Sequence, residues 1–150
     1  MTFIANLRKR LTSIKAVRSK PVDRFSKYKM DPAGYAKDIL GKTLTPDQIE
    51  MLLGVVTPPF RVFGRAGHTV GKSFAAAVGI SWLYDTRDPC MIISTAPRQE
   101  SVKNIIWREL HALRSDAGLG GFKTSASLEM RSSPRHFAIG MTARNTYGFH

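Results

Sequence analysis

Acidic side chains are scarce in this 150-residue chain: 11 Asp and Glu stand against 23 Lys and Arg, a net charge of +12. That imbalance points to a polyanionic partner, either nucleic acid or an anionic membrane surface. Cysteine is nearly absent. The single Cys90 excludes an internal disulfide framework and a cysteine-rich zinc site. Lying just ahead of an apolar run, it is expected to behave as a small buried hydrophobe. The four histidines, His68, His111, His136 and His150, show no metal-ligand spacing. No apolar run is long enough to span a bilayer, and no apolar signal segment with a cleavage site follows the start. The expectation is a soluble, intracellular chain with one domain's worth of residues, enough for a genuine core.

The positive charge is concentrated. Residues 1–29 hold nine basic side chains against the single acid Asp23, which is +8 of the +12. Phe3, Ile4, Leu7, Leu11 and Ile14 recur at helical spacing, with the basic residues largely on other faces. A basic amphipathic arm of this kind can lie on nucleic acid, lie on a membrane, act as an organellar transit peptide, or remain a solvated arm. Pro21 ends any helix there.

Residues 30–150 read as an alternation of helices and strands. Asp31 before Pro32 is a helix-start signal for a segment that stops at Gly41, because a carboxylate accepts free backbone N–H groups and proline fits the first turn. Thr45-Pro46 starts a second helix that runs through Leu53 to Gly54, completing a helical lead-in over 31–54. Phe60-Arg61-Val62-Phe63, bounded by Pro58-Pro59 and Gly64, reads as a short strand. Ser73 to Leu83 is alanine-rich and helical, with Gly79 its weak point. Cys90 to Thr95 reads as a strand buried on both faces. Arg98 to Arg114 has a helical period through Val102, Ile105, Ile106, Leu110 and Leu113. Ser115 to Ser127 reads as a loop, and Leu128–Arg131 and His136–Met141 as strands joined at Ser132-Ser133-Pro134. The order implies an α/β fold with a largely parallel sheet flanked by helices.

Between the strand at 60–63 and the helix from Ser73 lies Ala66-Gly67-His68-Thr69-Val70-Gly71-Lys72-Ser73. Its right end is the Gly-Lys-Ser of a phosphate-binding P-loop. Glycine lets backbone N–H groups turn inward on phosphate oxygens, lysine reaches the β/γ-phosphates, and the serine hydroxyl can ligate Mg²⁺. Its left end departs from the pattern: alanine stands where the first glycine belongs, and Gly67 follows one residue later. The bland alternative is a glycine-rich turn that happens to hold a lysine.

With these segments in order, the chain resembles the ATPase domain of phage large terminase subunits. The likeness is carried by Asp31-Pro32 with Tyr28 and Tyr35, by Leu44-Thr45-Pro46-Asp47-Gln48, by Ala66 to Ser73, and by Ser94 to Lys103 followed by Trp107, together spanning residues 28–110. The resemblance implies a P-loop NTPase-type core over 60–150, with ATP and Mg²⁺ as ligands and Ala66 as a family variant. It implies that Gln48 recognises adenine, since an amide both donates and accepts, that Lys72 neutralises phosphate and that Ser73 holds Mg²⁺. Thr95, Arg98 and Gln99 would form a segment coupling nucleotide state to DNA grip, and Arg65 a phosphate contact. On the residues alone, Gln48 can equally be an exposed helix residue, Arg65 a solvated turn residue, and Thr95–Gln99 a plain strand-to-helix loop.

The same resemblance implies double-stranded DNA, a small terminase subunit and a portal protein as partners. It also implies a homo-oligomeric ring, and the cytoplasm of a bacterial host as location. Hydrolysis further needs an acid ending an apolar strand and a group that positions water. Asp85, Asp88 and Asp116 read as loop residues, Glu109 as helical and Glu129 as part of a polar stretch, so none fits. A carboxylate cluster for a nuclease domain is also missing. The expectation is therefore the front, ATP-holding portion of such a motor, incomplete at its C-terminal side, with negligible turnover alone. A helicase-like P-loop translocase, or a remnant that binds nucleic acid or a partner, is the alternative.

Overall fold

The computed structural model describes residues 24–65, 71–124 and 126–142, apart from the side chain of Gln99. The amphipathic pattern at Phe3–Ile14 and the loop residues Ala66–Val70 lie outside those bounds. Within them the chain is mixed α/β, with its elements in the order α1 (Pro32–Asp38), α2 (Pro46–Val56), α3 (Lys72–Thr86), β1 (Met91–Ala96), α4 (Gln99–Ser101), a π-helical stretch (Val102–Trp107), α5 (Arg108–Asp116), β2 (Glu129–Ser133) and β3 (His136–Thr142). α4, the π stretch and α5 form one continuous helix. A short 3₁₀ turn, Ser26–Tyr28, precedes α1.

Helix starts follow their capping chemistry. Asp31 Oδ1 accepts the Gly34 N–H at 2.8 Å, and Pro32 occupies the first turn, where it has no hydrogen bond to lose. α2 opens with a reciprocal capping box between Thr45 and Gln48. Gly54 does not end this helix, contrary to the sequence expectation. It lies inside α2 because a Cβ there would sit 2.6 Å from Val62 Cγ2, so glycine lets the 60–65 segment pack against α2. Gly79, which weakens α3 on propensity, serves the same purpose: a Cβ there would meet Leu52 Cδ2 at 2.8 Å.

α3 is the central element. Val78, Ile80, Trp82 and Tyr84 are buried on different sides of it, as in a helix enclosed by its neighbours. α1 and α2 pack on one side through Tyr35, Ala36 and Leu52, and the α4–α5 helix on the other through Val102, Trp107, Leu110 and Leu113. The basic segment's last residues join this core: Tyr28 is buried, and Trp82 Nε1 donates to its carbonyl at 2.7 Å.

The sheet has the order β1-β3-β2, with β1 parallel to β3 and β2 antiparallel to it. It is smaller than the largely parallel sheet expected and mixed in direction. Phe60–Phe63 forms no strand. Phe60 takes φ +60° in a turn closed by its N–H on the Thr57 carbonyl at 2.7 Å, and the residues after it have no strand partner among the described residues. β1 is also not buried on both faces. Met91 is 66% and Ile93 57% exposed, because the described helices cover only the Ile92–Ser94–Ala96 face.

The helix over 98–114 forms with an irregularity that a 3.6-residue period does not foresee. In the π stretch the N–H groups reach back five residues, so Val102 and Trp107 share the buried face while Ile105 turns outward, 48% exposed. Two acids move from the expected loops into helices: Asp85 lies in the last turn of α3, and Asp116 ends α5. Glu129 opens β2.

Candidate functional site

α2, the 57–65 segment and the first turn of α3 enclose an open cleft of about 1140 Å³. Gln48, Arg65 and Lys72 all line it, so three residues singled out in the sequence meet on one surface. Gly71 adopts φ +71°, a left-handed conformation that suits glycine, and its carbonyl accepts the first backbone bond of α3, from Ala75 N at 2.9 Å. α3 carries no side-chain cap and no acid in its first turn, so no carboxylate of that turn offsets its positive dipole end or the N–H groups that the helix itself does not bond. Lys72 and Ser73 occupy the first two helical positions. Lys72 is exposed at the cleft; Ser73 is half-buried and does not line it.

Gln48 connects the two walls. Its Oε1 accepts the Thr45 N–H at 3.0 Å, and its Nε2 donates to the Gly71 carbonyl at 3.3 Å. A Cβ at position 71 would lie 2.6 Å from that nitrogen, so glycine is required for the approach as well as for the conformation. An amide has two N–H donors and two acceptor lone pairs. One of each is engaged here, which leaves one of each for a ligand with paired donor and acceptor groups.

The electrostatics favour an anion modestly. Arg61, Arg65 and Lys72 line the cleft opposite Asp47 and Glu50. No local spacing signal marks Arg61, Asp47 or Glu50 as site residues in the sequence. Asp47 and Glu50 lie on α2 itself, and Arg61 reaches the cleft because Val62 packs on Gly54 and so holds the 60–65 segment against that helix. Ala66–Val70, which would complete the loop, are outside the described residues.

Thr95 and Arg98 are exposed around the carboxyl end of β1 and do not line the cleft; Gln99 begins α4. No described acid ends an apolar strand. Asp85 is 6% exposed and pairs with Arg114 at 3.0 Å, so it holds the core together rather than facing a ligand. No group of three or more His, Cys, Asp or Glu able to hold a metal ion occurs among the described residues. Cys90 is half-buried, and burial raises its thiol pKa.

Among the described helices none is long and apolar enough to cross a membrane. Comparison with known proteins finds no match to a family model, a curated protein or a solved structure.

Proposed function

We infer that the chain is the ATP-holding part of a double-stranded-DNA packaging ATPase of the phage large-terminase type, built on a P-loop NTPase-type core. The observation that carries this reading is the meeting of Gln48, Arg65 and Lys72 on one cleft at the uncapped start of a long helix. In this reading phosphates sit at the N-terminal end of α3, where first-turn N–H groups and the helix dipole favour negative charge. Lys72 and Arg65 neutralise the phosphates, and the free half of the Gln48 amide pairs with the adenine edge. Mg²⁺ arrives with the nucleotide, and Ser73, in the first turn of α3, is the hydroxyl that would ligate it.

The described residues bind and orient; none supplies the acid that activates water. In the complete motor, ATP hydrolysis would drive DNA into a procapsid in the bacterial cytoplasm, with a small terminase subunit and a portal as partners of the assembled ring. Lys72→Ala is expected to abolish measurable ATP binding, a loss of at least about 2–3 kcal/mol for a charge-assisted contact. Titration calorimetry with Mg·ATP measures it. Unchanged affinity would remove the P-loop assignment, and with it the motor reading.

A further inference from the structure

Lys103 and Arg108 are five residues apart, which in a regular α-helix places them about 140° apart around the axis. The structure brings them together. The Arg108 N–H reaches back to the Lys103 carbonyl, shared with that of Ile105, closing one π turn, so the two residues lie about one turn apart on the same face of the helix. Val102 and Trp107, each one residue earlier, share the buried face in the same way and anchor that turn: Trp107 Nε1 donates to Ser94 Oγ at 2.8 Å. Lys103 and Arg108 are both exposed, as are Asn104 between them and Arg98 at the amino end of the helix. Among the described residues none of the three cations forms an ion pair, although Glu100 and Glu109 lie on the same helix. An exposed pair of cations that the fold aligns and leaves unneutralised fits a ligand with regularly repeated negative charge.

We propose that the helix face carrying Lys103 and Arg108, with the exposed Arg98 at the amino end of the same helix, is a contact surface for the phosphate backbone of double-stranded DNA. The choice of DNA over other polyanions rests on the packaging-motor reading; the surface itself does not depend on nucleotide binding. Contacts to backbone phosphates carry no sequence preference and release counterions, so they must weaken with salt.

The test uses the whole 150-residue chain, without nucleotide, and a random-sequence duplex of about 30 base pairs, with fluorescence anisotropy read across a salt series. Lys103→Ala/Arg108→Ala is expected to bind roughly tenfold more weakly at low salt, with the log–log salt slope about 1.8 shallower, because two phosphates are no longer neutralised. Unchanged affinity and slope would overturn the proposal. A swap variant, Lys103→Asn/Asn104→Lys, keeps net charge and composition but moves one cation off that face. Weakened binding is expected; wild-type binding would mean that net charge alone acts, which also overturns it. Anionic vesicles form a third arm, and loss of vesicle binding with DNA binding intact would assign the surface to membrane instead. Both variants alter exposed side chains, so an unchanged thermal midpoint is expected and verifies folding. Should Lys72→Ala keep ATP affinity while the double variant loses DNA, the nucleotide reading fails and this surface stands. The converse pair of results rejects the surface alone.

Discussion

Arg114 is 3% exposed, and its charge is met by a complete set of partners. Nη1 donates to Asp85 Oδ2 at 3.0 Å and to Ser81 Oγ at 2.8 Å, while Nε and Nη2 donate to the Gly120 carbonyl. Tyr35 completes the network, its hydroxyl donating to Asp85 at 2.6 Å and meeting Ser81 Oγ at 2.8 Å. Burial, and then the neighbouring Asp85 carboxylate, push the Tyr35 phenol well above its ordinary value of 10.0. A folded-state pKa raised above the unfolded value gives stability that is fully present below about pH 10 and declines as pH rises beyond it, by about 1.4 kcal/mol per pH unit for one proton. Tyr35→Phe removes that dependence. In urea titrations from pH 8 to 11, the stability difference between wild type and variant is expected to be constant below pH 10 and to shrink above it. A constant difference throughout would show that Tyr35 titrates alike in both states. None of this is legible along the chain. Tyr35, Ser81, Asp85 and Arg114 have no shared spacing, and the linear pattern alone puts Asp85 in a loop.

The helical elements are largely visible in the sequence, because capping is local. Asp31-Pro32 and Thr45-Pro46 mark their helix starts with side chains that bond within three residues. The π stretch is not visible, because the extra residue per turn is set by what the helix packs against. Gly140 of β3 is the contact point. A Cβ there would lie 2.5 Å from Trp107 Nε1 and 2.7 Å from Val102 Cγ1, the two side chains that the π turn aligns. Gly140→Ala is therefore expected to destabilise the protein by about 1–3 kcal/mol through overpacking. It should also alter the environment of Trp107, read together as a lowered denaturation midpoint and shifted tryptophan emission. A neutral outcome would mean that the helix moves away from the sheet without cost.

Among the described residues the sheet is covered on one side. The helices cover the Ile92–Ser94–Ala96 face, while the register Met91↔Phe137, Ile93↔Ile139 and Thr95↔Met141 puts a second, mainly apolar set on the opposite face. Among the described residues β1 is also an edge strand, with no Lys, Pro or bulge within it to discourage pairing with another chain. Ile93→Lys is expected to slow heat-induced aggregation, measured by light scattering, with stability changed by less than about 0.5 kcal/mol as for an exposed site. An unchanged aggregation rate would place the sticky surface elsewhere, with 95%-exposed Phe63 the next position to test.

Local chemistry along the chain determined the helix starts, the alternation of helices and strands, the excess of positive charge and the Gly71-Lys72-Ser73 start of α3. Each depends on residues within a few positions of one another, where spacing alone fixes which groups can meet. The tertiary structure decided everything that joins distant segments. It left the Phe60–Phe63 run without a strand partner among the described residues and paired β1 parallel to β3. It tied Gln48 to Gly71, buried Asp85 against Arg114, and set Lys103 and Arg108 on one face of their helix. Those outcomes depend on which surfaces cover one another, and the free energy of that covering belongs to pairs of elements rather than to either sequence segment alone.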